Sequence, residues 1–129
     1  MGGPSRSFRE LFLMPRRGGL LEAAQGSGEA ENTACGDWVR IQVRLVAGRI
    51  EAVSSQVRGC SATIACASLA AESLEGLTLD SARGLDLSVL AAAAGATRKD
   101  LAHAPSLVER ALHAALAGAG LDCQASTDV

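Results

Sequence analysis

The sequence predicts an α+β fold in which a β-hairpin is followed by a run of helices. Three observations predict it. Strict alternation runs over residues 38–45, with Val39, Ile41, Val43 and Leu45 on one face and Trp38, Arg40, Gln42 and Arg44 on the other; this is the pattern of a half-buried antiparallel strand. Ala47-Gly48 then offers a tight connection into a second strand over residues 49–54, with residues 56–58 as its continuation. After Gly59-Cys60 the period changes, and residues 61–75 read as a helix of unusually small side chains that ends at Gly76. With 129 residues, of which 48% are hydrophobic, the chain is sized for one core. It contains no internal repeat, so a single domain is expected across residues 1–129.

The other elements follow from local signals. Phe8, Leu11 and Phe12 fall at helical spacing and Met14-Pro15 ends the pattern, which predicts a short amphipathic helix followed by a turn at Gly18-Gly19. Residues 25–33 are polar and glycine-rich (Gln-Gly-Ser-Gly-Glu-Ala-Glu-Asn-Thr) and are expected to form a mobile surface loop leading into the first strand. Thr78 begins a short helical piece, and residues 85–94 form another before Gly95. The last helix is expected to start near Pro105 or Ser106, where Ser106-x-x-Glu109 matches a capping box. It should end near Gly118, leaving a short flexible tail after about residue 119.

Composition narrows the function. Twelve basic and 14 acidic side chains give a net charge of −2, so no strong field draws the chain onto nucleic acid or an anionic membrane. An aromatic content of 2% leaves almost nothing to stack on bases. Residues 1–17 carry Arg6, Arg9 and Glu10 through their most apolar stretch, unlike a secretory signal. Residues 85–96 are too few to span a bilayer, which needs roughly 20. A soluble, cytoplasmic protein is expected, with neither nucleic acid nor membrane among its partners. There, Cys35, Cys60, Cys66 and Cys123 are expected to be thiols, metal ligands or core residues rather than two disulfides.

Three separated pieces carry the chemistry: Ala34-Cys35-Gly36-Asp37, Gly59-Cys60-Ser61-Ala62, and His103 shortly before the last helix. If Cys35 and Asp37 are extended, their spacing puts both side chains on one side of the chain, in phase with Val39 and Ile41 at the rim of the core face. Cys60 immediately precedes a helix, where free N–H groups and the positive end of the dipole favour a thiolate. His103 also stands just outside a helix start, with an imidazole able to coordinate metal near neutral pH. Two thiolates, one carboxylate and one imidazole make four ligands, the number needed by a tetrahedral zinc site or by the terminal positions of a two-iron cluster. Cys66 lies six residues after Cys60, roughly 240° around a helix, and is read as core packing. Cys123 lies beyond the far end of the last helix, from where even a fully extended tail barely returns to the same site, and His113 is read as structural or solvent-exposed.

The motifs also carry a resemblance. Ala-Cys-Gly-Asp entering an alternating strand, and Gly-Cys-Ser-Ala-Thr-Ile-Ala-Cys-Ala-Ser-Leu entering a small-residue helix, resemble the first two signatures of the NifU N-terminal, IscU and SufU scaffold family. Met14-Pro15-Arg16-Arg17-Gly18-Gly19 resembles the family's Asn-Pro-Arg-Asn-x-Gly stretch, and His103-Ala104-Pro105-Ser106-Leu107-Val108-Glu109 its third signature, His-Cys-Ser-x-Leu-x-Glu. The similarity runs from about Ser7 to Leu116. It implies a three-stranded antiparallel sheet packed against helices. It further implies a role in accepting sulfur from a cysteine desulfurase, binding iron, assembling a transient [2Fe-2S] cluster and handing it to recipient apo-proteins.

Carried over residue by residue, the resemblance makes Cys35, Asp37, Cys60 and His103 the cluster-, iron- or zinc-binding residues. Two departures stand out: Ala104 occupies the position of the family's third cysteine, and Thr97-Arg98-Lys99-Asp100-Leu101 replaces the Leu-Pro-Pro-Val-Lys chaperone-recognition segment. The insertion typical of SufU before the second signature is not obvious either. A cluster scaffold or carrier is therefore expected, with a diverged zinc-binding interaction or regulatory protein as the alternative. An enzyme with Cys60 as nucleophile and His103 as base is not expected, because no oxyanion or substrate-binding motif accompanies them.

Overall fold

The computed structural model describes residues 7–13, 21–34 and 36–127, with side chains described as far as residue 119. Among the described residues eight elements follow one another: α1 (Phe8–Leu13), β1 (Gly26–Asn32), β2 (Asp37–Val46), β3 (Arg49–Arg58), α2 (Ser61–Leu74), α3 (Leu79–Arg83), α4 (Leu87–Ala93) and α5 (Ala104–Thr127). The three strands form one antiparallel sheet in the order β1-β2-β3, the architecture that the resemblance implies. Val39, Ile41, Val43 and Leu45 are buried, and so is Asp37 in phase with them. The opposite face of β2 is half exposed and carries Trp38, which donates from Nε1 to Glu29 Oε1 at 3.0 Å, and Arg40, which pairs with Glu29 at 3.3 Å. The β2–β3 hairpin turns at Ala47 and Gly48, both at positive φ, as the right-handed twist of paired strands demands.

Residues 25–33 are not the expected loop, because Gly26–Asn32 is a strand paired with β2 from Gly26 opposite Val43 to Asn32 opposite Asp37. The reason is close packing against α5. A Cβ on Gly28 would lie 2.5 Å from Ala115 N and 2.7 Å from Ala114 Cβ, and one on Gly26 would lie 2.8 Å from Ala119 N. No side chain fits there, so alternate glycines in an otherwise polar strand let its backbone rest directly on the helix.

Helix α5 also differs from expectation. It begins at Ala104, with His103 O accepting from Leu107 N–H at 3.1 Å, and it continues as backbone helix through Thr127 instead of ending near Gly118 in a tail. Ser106 and Glu109 therefore do not form its capping box. Glu109 reaches across to α4 and accepts the Leu87 N–H at 2.8 Å, where an acidic group suits the start of a helix. α2 stops at Leu74, two residues before Gly76, and α3 and α4 are capped by Thr78 and Asp86. Phe8 and Leu11 of α1 are buried whereas Phe12 is 40% exposed. The proposed turn at Gly18-Gly19 and the Met14–Gly19 stretch lie outside the described residues. Among the described residues no helix is long and apolar enough to cross a membrane.

Candidate functional site

The site is built where β2 starts, α2 starts and the turn before α5 ends. Asp37 is the first residue of β2. It follows a turn in which Gly36 has φ +77° and donates to Asn32 O at 2.8 Å, so the chain bends just ahead of Asp37 instead of running extended. Cys60 is the N-cap of α2, and its carbonyl accepts from Thr63 and Ile64 N–H at 3.1 and 3.2 Å. Its side chain does not cap the helix, which leaves the thiol exposed at the positive end of the helix dipole.

The two residues meet directly. Asp37, 5% exposed, accepts the Cys60 N–H on Oδ1 at 3.1 Å and the Cys60 thiol on Oδ2 at 3.3 Å. Oδ2 also accepts the hydroxyl of Thr63, a fully buried residue, at 2.8 Å. These three described donors are all uncharged, so a buried carboxylate is held by neutral groups around one exposed sulfur. Gly59 makes the approach possible: a Cβ there would sit 2.6 Å from Asp37 Cγ and closer still to Oδ1.

A cleft of about 570 Å³ opens beside this pair. Asp37, Cys60, Ser61, Lys99, Asp100, His103 and Ala104 are among the residues that line it. The turn that carries Lys99 is closed by reciprocal bonds, Thr97 N–H to Asp100 Oδ2 at 2.9 Å and Asp100 N–H to Thr97 Oγ1 at 3.2 Å. Ala104 forms part of the cleft wall although only 3% of it is exposed.

Of the four candidate ligands, Asp37, Cys60 and His103 thus share one cleft, and Cys35 lies outside the described residues. Among the described residues no three His, Cys, Asp or Glu side chains are gathered closely enough to hold a metal ion. Cys66 is fully buried in the core, where burial first, and then the negative charges of Asp100, Cys60 and Glu109, push its thiol up to about 12; it stays protonated and unreactive. His113 is exposed on α5. Cys123 falls in the helical backbone of α5, about 28 Å along the axis from Ala104 at 1.5 Å per residue. Sequence reasoning missed Thr63. Its signal was a hydroxyl three residues after Cys60, on the first turn of a helix whose other residues there are small or apolar.

Iron-sulfur cluster assembly scaffold protein IscU 1 of Archaeoglobus fulgidus is 35% identical over 105 residues, covering 81% of this chain and 69% of that protein. The IscU scaffold protein of Aquifex aeolicus is 31% identical over 107 residues, covering 81% and 68%. The crystal structure of a SUF-system iron-sulfur cluster assembly scaffold protein from Fervidobacterium islandicum superposes with a TM-score of 0.67 at 18% identity, covering 84% of this chain and 93% of that one, a likeness of fold. The NifU-like N terminal domain family matches residues 5–119, and with that match and these relatives the chain belongs to that family.

Proposed function

We propose that this chain is an iron-sulfur cluster assembly scaffold or carrier, a single cytoplasmic domain across residues 1–129. It accepts sulfur, binds iron or a [2Fe-2S] cluster as cargo on Cys35, Asp37, Cys60 and His103, and passes that cargo to recipient apo-proteins. The relatives at 31% and 35% identity are named as scaffolds, and we read this chain as one rather than as an enzyme.

The observation that carries the reading is the 3.3 Å between Cys60 Sγ and Asp37 Oδ2. A tetrahedral ion with one thiolate at about 2.3 Å and one carboxylate oxygen at about 2.1 Å holds the two donors about 3.6 Å apart. The pair is therefore already close to the spacing that a shared ion requires, with the thiol proton occupying the ion's place. His103 lines the same cleft, and on this reading it and Cys35 supply the remaining donors.

Sulfur transfer follows from the exposed thiol at the helix start. The Cys60 sulfur, its proton passing to Asp37 Oδ2, attacks the outer sulfur of a persulfide on a cysteine desulfurase. The donor's S–S bond breaks, a new S–S bond forms on Cys60, and the donor cysteine leaves as thiolate, so no separate oxidant is consumed. Cys35 is the second candidate acceptor.

One observation favours a second reading. With Ala104 on the cleft wall, the donor set mixes sulfur, nitrogen and oxygen, and such sets suit zinc well. Anaerobic addition of iron and sulfide followed by absorption spectroscopy and metal analysis separates the two. A cluster chromophore supports the scaffold, whereas retained zinc without a chromophore supports the zinc-binding interaction protein. Mass spectrometry after incubation with a cognate desulfurase and cysteine should find persulfide on Cys60 or Cys35, and labelling confined to Cys66 or Cys123 would refute the assignment.

A further inference from the structure

We propose that Thr63 is a positioning residue for the ion site: its hydroxyl fixes the Asp37 carboxylate over Cys60, so that Oδ2 is presented to an incoming ion beside the sulfur. This rests on the reading of Asp37 and Cys60 as ligands.

A threonine inside a helix ordinarily returns its hydroxyl to a carbonyl one turn back. Thr63 does otherwise. Its N–H takes the Cys60 carbonyl at 3.1 Å, while its hydroxyl crosses to Asp37 Oδ2, 26 residues away in sequence, at 2.8 Å. The residue is fully buried, so no water stands ready to replace that bond. The hydroxyl also lies 3.4 Å from Cys60 Sγ, which puts it against both donors at once.

The three described bonds to Asp37 respond differently when an ion arrives. The thiol bond at 3.3 Å is lost with the thiol proton, because the thiolate and not the thiol is the ligand. The Cys60 N–H on Oδ1 and the Thr63 hydroxyl on Oδ2 keep their protons and remain. One donor on each oxygen sets the plane of the carboxylate, and a carboxylate oxygen has a further lone pair to give. Without the hydroxyl, Oδ2 loses the only described partner that survives ion binding, and the group is free to turn away from the sulfur. Hydrogen-bond partners that orient metal ligands typically contribute about 10–100-fold to affinity.

The test is an anaerobic titration of the apo-protein with Co(II), comparing wild type, Thr63→Val and Thr63→Ser. Thiolate-to-cobalt charge transfer reports the proposed thiolate ligands Cys60 and Cys35, and the visible d–d bands report the coordination geometry, which changes when the carboxylate leaves. We expect Thr63→Val to bind about tenfold more weakly or worse, with altered d–d bands but with charge transfer retained, and Thr63→Ser to restore affinity and bands. A merely structural role would lower folding stability and leave both readouts in place. Thr63→Val with wild-type affinity and bands overturns the proposal while leaving the site itself standing. Wild type without a thiolate-to-cobalt band overturns the site reading and the positioning role with it. If Thr63→Val does not fold, Thr63→Ala set against Thr63→Ser gives the same comparison.

Discussion

Gly59→Ala should damage the site without replacing a single proposed ligand. The three atoms nearest to a Cβ at position 59 all belong to the Asp37 side chain: Oδ1, Cγ at 2.6 Å and Cβ at 3.0 Å. An ordinary contact needs about 3.5 Å or more, so the carboxylate must retreat by about 1 Å. The bond most exposed to that shift is the Cys60 N–H to Oδ1 at 3.1 Å. A hydrogen bond to a charged acceptor contributes about 1.5–3 kcal/mol, and alanine at φ +151° adds about 1 kcal/mol of backbone strain. Urea denaturation should therefore show Gly59→Ala destabilised by about 2–4 kcal/mol. In an Asp37→Ala background most of the clash disappears, and the same substitution should cost only about 1 kcal/mol. Additivity of the two substitutions to within about 0.5 kcal/mol would refute the reasoning, since it would mean that Gly59 is needed for its backbone alone and not to admit the carboxylate.

Two further predictions use other parts of the molecule. The Cys66 thiol is raised from 9.0 to about 12 by burial, so its contribution to stability is complete below about pH 9 and is lost as pH rises toward 12. Between those limits wild type should lose up to about 4 kcal/mol relative to Cys66→Ala, read as the pH dependence of urea midpoints; equal slopes would refute it. With no tyrosine and Lys99 as the sole lysine, few other groups titrate there. Ala104→Cys should lengthen the lifetime of the reconstituted chromophore under chelator challenge, because it adds a thiolate at a position that already forms part of the cleft wall. Equal lifetimes with a folded variant would mean that residue 104 does not reach the cargo.

The chain's own order of residues determined much of this protein. The alternation of Val39, Ile41, Val43 and Leu45 gave β2 its faces, and Asp37 stays in phase with them because side chains repeat every second residue whatever packs above. The period change after Gly59-Cys60 located α2 and with it the exposed thiol at a helix start, since both are local signals. The motifs also named Cys60, Asp37 and His103, which face one cleft although up to 66 positions separate them.

What only the tertiary structure decided is the set of contacts made across the chain. Gly26 and Gly28 read as loop residues because glycine is a poor strand former in isolation, yet the absence of a Cβ is what allows β1 to lie on the backbone of α5. Glu109 matched a local capping box but instead accepts the Leu87 N–H at the start of α4, because α5 begins two residues before Ser106. Thr63 was marked locally only as a hydroxyl three residues after Cys60, and that hydroxyl acquires a role only when the sheet brings Asp37 within 2.8 Å. Local periodicity reports which way a side chain points along its own element, whereas the partner it meets is set by how separate elements pack, and here that packing supplies both the close approach at Gly59 and the carboxylate beside the sulfur.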